Sequence, residues 1–182
     1  MNRRNTEMKK SFKLVEPSNT YRDSFIAMAQ EFQAVGETRY ELLLPQLEND
    51  FAGYVQLLQN QKDGIGLQEG HVPQTTLWSV ENDEMIGVIH IRHSLTPTLE
   101  KIGGHIGYQI RPSRRRKGYG TRQLTLALEV VRAWGWEKVL ITCNDDNTGS
   151  ARIIESNGGE LWDVMEVEGE PRPIRRYWVQ LR

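Results

Sequence analysis

The sequence predicts an α/β (α+β) protein with a central mixed sheet and helices on both faces. Apolar residues recur at helical spacing early on, in Tyr21, Phe25, Met28, Ala29 and Phe32 and again in Leu47, Phe51, Tyr54, Val55 and Leu58. The period then drops to two on either side of Glu81-Asn82-Asp83-Glu84, a hairpin turn. From residue 104 onward strands and helices alternate, which requires crossover connections. With 182 residues and 38% hydrophobic content, the chain suffices for one core of ordinary size.

The elements follow in order. Residues 12–15 form a first strand, stopped by Glu16-Pro17-Ser18-Asn19, and Asn19 or Thr20 caps the first helix. A second helix is expected over 45–59, and the glycines and Pro73 within 60–74 mark a loop. Strands at 76–80 and 85–91 make the hairpin, and a loop at 94–103 leads to a strand at 104–110. A long helix over 122–134 carries Leu124, Leu128, Val131 and Trp134, and Gly135 ends it. A strand at 138–143, a short helix at 147–157 and strands at 160–166 and 174–181 complete the order β-α-α-β-β-β-α-β-α-β-β. Residues 1–10 read as a flexible lead-in and 11–182 as a single domain.

Bulk properties exclude several classes. A net charge of −1 argues against a general nucleic-acid or membrane-surface binder. No stretch approaches the roughly 20 apolar residues of a bilayer span, and the basic start Met1-Asn2-Arg3-Arg4-Asn5 is followed by no apolar signal core. A cytoplasmic location is expected. The lone Cys143 rules out an internal disulfide framework, and no His/Cys/carboxylate spacing suggests a metal.

The chemistry concentrates at Ile110-Arg111-Pro112-Ser113-Arg114-Arg115-Arg116-Lys117-Gly118-Tyr119-Gly120-Thr121. Basic residues and two glycines lie between a strand and a helix. The first-turn amides of that helix lack intrahelical partners and point at whatever lies beyond them, so the segment is an anion site. It is not a nucleotide P-loop, because Gly-x-x-x-x-Gly-Lys-Ser/Thr is absent. A dinucleotide fingerprint fails for want of a third glycine and a downstream acid. The charge is also too local for nucleic-acid binding, which spreads cations and stacking aromatics along a face.

Arg115-x-x-Gly118-x-Gly120 resembles the pyrophosphate loop of the GNAT superfamily of acyl-CoA-dependent acetyltransferases, and the element order resembles the GNAT fold. Two further stretches carry the resemblance: Asn144-Asp145-Asp146-Asn147-Thr148-Gly149-Ser150 and the ending Arg175-Arg176-Tyr177-Trp178-Val179. The likeness is close over 76–181 and limited to layout over 11–75. It implies acetyl-CoA as co-substrate, with no metal. Contacts to it would come from Ile110, Arg115, Arg116, Lys117, Gly118, Tyr119, Gly120 and Thr121, with Asn147 and Ser150 beside the pantetheine arm. Asn147 serves equally well as a helix N-cap.

The resemblance implies direct transfer of an acetyl group to a primary amine, in a small molecule or a peptide, with the Ile110 backbone N–H as oxyanion donor. An amine with pKa near 10.4 is mostly protonated at neutral pH, so the neutral form must be selected or generated. The glutamate that histone-type relatives carry falls on Gly104, and the tyrosine of many relatives on Ile154. His105 is the substitute base and Tyr108 a candidate acid, with His90, His93 and Tyr177 as weaker alternatives. Glu37, Glu41, Glu48 and Asp50 offer charge for a cationic acceptor or simply solvated helix faces. A CoA-binding sensor without catalysis is the competing reading, and edge strands offer a route to a homodimer.

Overall fold

The computed structural model describes residues 12–182, so the expected lead-in at 1–10 lies outside the described residues. The order is β1 (Lys13–Val15), α1 (Arg22–Ala34), α2 (Leu44–Asn49), α3 (Phe51–Lys62), β2 (Gln74–Glu81), β3 (Glu84–Arg92) and α4 (Pro97–Lys101). Then come β4 (Ile106–Ile110), α5 (Tyr119–Ala133), β5 (Lys138–Asn144), α6 (Thr148–Glu155), β6 (Gly159–Met165) and β7 (Ile174–Gln180). The mixed α/β class and helices on both faces match the sequence.

Local chemistry explains the departures. The helix expected over 45–59 is two helices, because Asp50 leaves helical geometry and its side chain caps α3 by accepting from Gly53 N at 2.8 Å. Ser18, rather than Asn19 or Thr20, caps the entry to α1 through a short 3-10 turn. The loop at 94–103 contains α4, started by the Thr96 cap and Pro97. The hairpin turn holds Asn82 and Asp83 at positive φ, residue types that tolerate it.

The strands form two antiparallel sheets, β1-β2-β3-β4 and β5-β7-β6, rather than one continuous ladder. Trp78, Val80, Met85 and Val88 face the first core, under α1–α3. There Phe25 lies 4.8–5.7 Å from the rings of Tyr40, Phe51, Tyr54 and Trp78. The alternate residues Leu77, Ile89 and Ile91 face the second core, with Leu124, Leu128 and Val131 of α5. The strand periodicity of two and the helical stripe thus divide the chain between the two faces.

The sheets meet where β4 begins. His105 N donates to Leu140 O at 2.7 Å, and Leu140 N donates to His105 Nδ1 at 2.9 Å. Gly104 makes this approach feasible. Its φ is +58°, and a Cβ there would lie 2.4 Å from Leu140 O. Gly104→Ala should therefore cost about 2–5 kcal/mol, from left-handed strain and overpacking together. A urea midpoint unchanged from wild type would show that the seam does not need this contact.

Two histidines near the seam are held neutral. Burial, helped by the positive charge of Arg92, brings both His90 and His105 down to about 4. Both pKa values lie below the unfolded value, so the unfolded chain binds protons first as the pH falls. Stability contributed by the neutral rings is full above about 6.5 and is lost between there and about 4. Over that interval wild type should lose on the order of 3 kcal/mol more than His90→Gln, read from urea denaturation at each pH. Parallel pH profiles would contradict a buried neutral His90.

Candidate active site

The basic loop is built as a strutted turn. After β4 the chain makes a 3-10 turn at Pro112–Arg114, passes Arg116 at φ +58° and Gly118 at φ +80°, and enters α5. Gly118 is the N-cap residue and contributes no side chain, so no side chain caps the first turn of α5. The first helical bond is Arg122 N to Gly118 O at 3.2 Å, which leaves the amides of Tyr119, Gly120 and Thr121 without intrahelical acceptors. Gly120 has a packing reason as well: a Cβ there would lie 2.5 Å from Ile153 Cδ1 of α6.

Most of the loop's arginines are structural. Arg111 pairs with Glu31 at 2.6 Å and Glu84 at 3.2 Å, and Arg114 is bound in two places to Glu84. Arg115 grips Glu37, donates through Nε to Ile110 O at 3.0 Å and lies over the Phe32 ring. Burial would raise the Glu31 carboxyl, but hydrogen bonds from Arg111 and Ser113 outweigh it and hold the group low. The Arg115 hydrogen bond does the same for Glu37. Among the described residues, Arg116 is the loop arginine without a carboxylate partner.

A cleft of about 550 Å³ opens beside this loop, between the ends of β4 and the start of α6. It is lined by Tyr108, Ile110, Arg115, Arg116, Gly118, Gly120, Thr121, Asn147 and Ser150 from the sequence-based set. Lys117 and Tyr119 do not line it. Lys117 Nζ donates to Ser113 O at 2.9 Å, and the Tyr119 hydroxyl donates to Glu81 at 2.5 Å.

Strand pairing aims the β4 backbone. Arg111 N bonds Ile86 O and Arg92 N bonds His105 O, so residues 109 and 107 share the hydrogen-bonded positions of the β3 ladder. The alternate N–H groups, those of Tyr108 and Ile110, are turned away from β3 toward the gap. Ile110 N–H therefore faces the cleft, whose wall Ile110 forms. Across the gap Asn147 caps α6, with Oδ1 accepting from Ser150 N at 3.0 Å, which leaves its Nδ2 to donate elsewhere. The Tyr108 and Ser150 hydroxyls are 2.8 Å apart, and burial raises the Tyr108 pKa, keeping its proton on.

Arg39, Tyr108, Gln109, Asn147 and Ser150 border both the cleft and a second, contiguous cavity of about 290 Å³. Its other walls include His90, Arg92, Thr142, Cys143 and Asn144. Burial raises the Cys143 pKa, so it is held as a thiol. Arg39 and Arg92 carry no sequence motif, and only the folded chain brings them here. A larger cavity of about 630 Å³ lies at the C-terminal end of α5, lined by His93, Trp134 and Trp136; neither the basic loop nor Tyr108 and Ile110 border it.

Several candidates lie elsewhere. His105 lines neither the cleft nor the second cavity. Its Nδ1 is committed to Leu140 N, and its ring packs 5.2 Å from that of Trp136, so the structure places it in the seam. His93 is bound to Thr75 at the remote cavity. Tyr177 is fully buried, with its hydroxyl donating to Glu155 at 3.2 Å. Ile154 is fully buried in the second core, and its neighbour Ile153 borders the cleft instead. Of the acidic candidates, Glu37 does border the cleft but is paired with Arg115, Asp50 is a cap and Glu48 accepts from Gln30.

Known proteins place this geometry. The fold is similar to a ribosomal L7/L12 α-N-protein acetyltransferase, RimL, in complex with coenzyme A, with TM-score 0.68 and 16% identity over 93% of this chain and 94% of that one. It is also similar to the microcin C7 self-immunity acetyltransferase MccE in complex with acetyl-CoA and AMP (TM-score 0.66, 16% identity, 94% and 93% covered). A spermidine N-acetyltransferase chimera from Vibrio cholerae and hSSAT gives 0.61 at 12% identity, with 93% and 95% covered. No curated protein sequence matches the chain at a significant level. The family model described as an acetyltransferase (GNAT) domain matches residues 14–160, most of the chain. The chain therefore belongs to the GNAT acetyltransferase family.

Proposed function

We propose that the protein transfers the acetyl group of acetyl-CoA to a primary amine, with both substrates bound at once. The observation that carries this reading is the uncapped first turn of α5 opening onto a cleft that continues into a second cavity. The residues present fit the co-substrate. The amides of Tyr119, Gly120 and Thr121 and the Arg116 guanidinium suit a pyrophosphate, and Asn147 Nδ2 suits the amides of the pantetheine arm.

Acetyl-CoA supplies a thioester carbonyl open to attack. Ile110 N–H donates to its oxygen as negative charge develops there, a contribution independent of side-chain identity. The amine nitrogen bonds to the carbonyl carbon as the carbon–sulfur bond breaks, and the departing sulfur takes a proton. Tyr108, kept protonated and linked to Ser150, is the donor for that step. No carboxylate lines the second cavity, and its guanidinium groups disfavour an ammonium ion. The acceptor thus enters as the neutral amine, and the proton its nitrogen sheds as the amide forms returns through water to the Tyr108 oxygen. We place the enzyme in the cytoplasm; among the described residues no helix is long and apolar enough to cross a membrane. Edge strand β6, with Leu161, Trp162 and Val164 half exposed, would join two copies in a homodimer.

The competing reading, a CoA-binding sensor, draws on Gly104 and Ile154, where relatives carry a glutamate and a tyrosine. Calorimetric titration followed by an amine screen for released CoA separates the two. Acetyl-CoA should bind at micromolar concentration, and Arg116→Glu should weaken it at least about tenfold through loss of a charged hydrogen bond. Equal affinity in that variant would refute the loop assignment. Tyr108→Phe should lower kcat by about a hundredfold while leaving acetyl-CoA affinity near wild type; an unchanged kcat would remove Tyr108 from the chemistry. Binding with no acetylation of any amine would favour the sensor.

A further inference from the structure

Among the described residues, five arginines are buried or part-buried: Arg92, Arg111, Arg114, Arg175 and Arg176. Four of them meet carboxylates, Arg111 with Glu31 and Glu84, Arg114 with Glu84, Arg175 with Asp145 and Arg176 with Asp163. Arg92 does not. Its Nη1 donates to Gly103 O and Gly104 O, both at 3.0 Å, which orients the guanidinium without neutralising it. A buried charge left without a counter-charge is costly, and the usual remedy is an ion pair. Here the molecule withholds one.

The withheld partner corresponds to a space. Arg92 forms part of the wall of the second cavity, where its guanidinium lies 3.7–3.8 Å from the point at which a side chain on Gly107 would begin. Glycine at that position leaves room in front of the cation. Arg39, which stands where this cavity meets the first cleft, brings a second guanidinium, and no Asp or Glu lines the cavity. His90, the remaining titratable base there, is held neutral by burial. Behind Arg92, Glu69 lines the neighbouring loop cavity and makes no ion pair with it.

Resting on the acetyltransferase reading above, we infer that the acceptor is a small zwitterionic amine whose own anionic oxygens, carboxylate or phosphonate, pair with Arg92 and Arg39. The amine end then lies toward Tyr108 and Ser150, which border both cavities. A cavity of about 290 Å³ suits a molecule of amino-acid dimensions. A polyamine would instead bring further positive charge against two guanidinium groups, which disfavours its binding.

The test uses the whole chain with acetyl-CoA and follows CoA release. Acceptors are the amino acids, aminoalkylphosphonates of similar length, the carboxamides of the amino acids, and linear polyamines. An anionic amine should be used with kcat/KM at least about tenfold above its neutral carboxamide, and the carboxylate and phosphonate arms show which oxyanion the site takes. Arg92→Gln should raise KM for the anionic amine more than it lowers kcat, and collapse the preference over the carboxamide. Arg39 is exposed and bears no structural hydrogen bond among the described residues, so Arg39→Gln gives a second readout in the same direction if Arg92→Gln is poorly folded. Acetylation of carboxamides or polyamines as efficiently as zwitterions, or a preference that survives in both variants, overturns the inference alone. Failure to bind acetyl-CoA overturns the acetyltransferase reading itself, and binding without acetylation of any amine overturns both.

Discussion

Everything at the candidate site depends on the parting of β4 from β5. The two strands are tied by the paired hydrogen bonds between His105 and Leu140 and then form opposite walls of a gap. Had the ladder continued, the outward N–H groups of Tyr108 and Ile110 would be consumed by β5. Because it stops, they are offered to a ligand, and the start of α6 is brought across from the start of α5. The tie itself is made possible by a glycine. Gly104 adopts a backbone conformation and a closeness to Leu140 that a glutamate would not tolerate without displacement. On the proposed reading, the lack of an acid at this position follows from how the seam is closed.

Charge is arranged at two levels around that gap. Within the loop, Glu31, Glu37 and Glu84 satisfy the guanidinium groups of Arg111, Arg115 and Arg114, so these arginines hold a shape more than they present a charge. Bidentate pairs of this kind fix geometry because the guanidinium fork and the carboxylate are both planar. What the cleft has left for a ligand is then the amides at the head of a 15-residue helix, supplemented by Arg116 and Arg39, the lining guanidinium groups that make no ion pair among the described residues. The second cavity follows the opposite rule. Its cations are left without carboxylates, and its character is set by what they would attract.

Much of this was legible before the fold was known. The two helical stripes, the hairpin and the glycine-bearing basic loop located the elements and the cleft to within a few residues, because each is a local signal. Gly120 shows what a local reading misses, since the packing of Ile153 against it, from 33 residues away, favours a small residue there beside any approach of a phosphate. The partners of the arginines were not legible: Glu31 lies 80 residues from Arg111 and Glu37 lies 78 from Arg115. Neither carries a motif. The closeness of His105 to Gly104 in sequence points to the site, yet its ring is turned into the seam. Arg39 and Arg92 had no signal at all, because what distinguishes them is a partner that is absent.

On the proposed reading, an acetyltransferase working without a carboxylate base must still obtain a neutral amine, and the second cavity would supply a physical route. Positive charge near an ammonium ion lowers its pKa, so Arg39 and Arg92 favour the nucleophilic form before any proton acceptor is considered. The same charge would repel a simple cation from the site altogether. A zwitterion resolves the conflict, since its anionic end makes binding favourable while leaving the amine end among neutral hydroxyls and amides. On this view selection of the acceptor and activation of its nitrogen are one electrostatic arrangement. On the same proposed reading the amine is delivered neutral and Tyr108 holds a proton for the leaving sulfur, so neither an acid at Gly104 nor a tyrosine at Ile154 would be required.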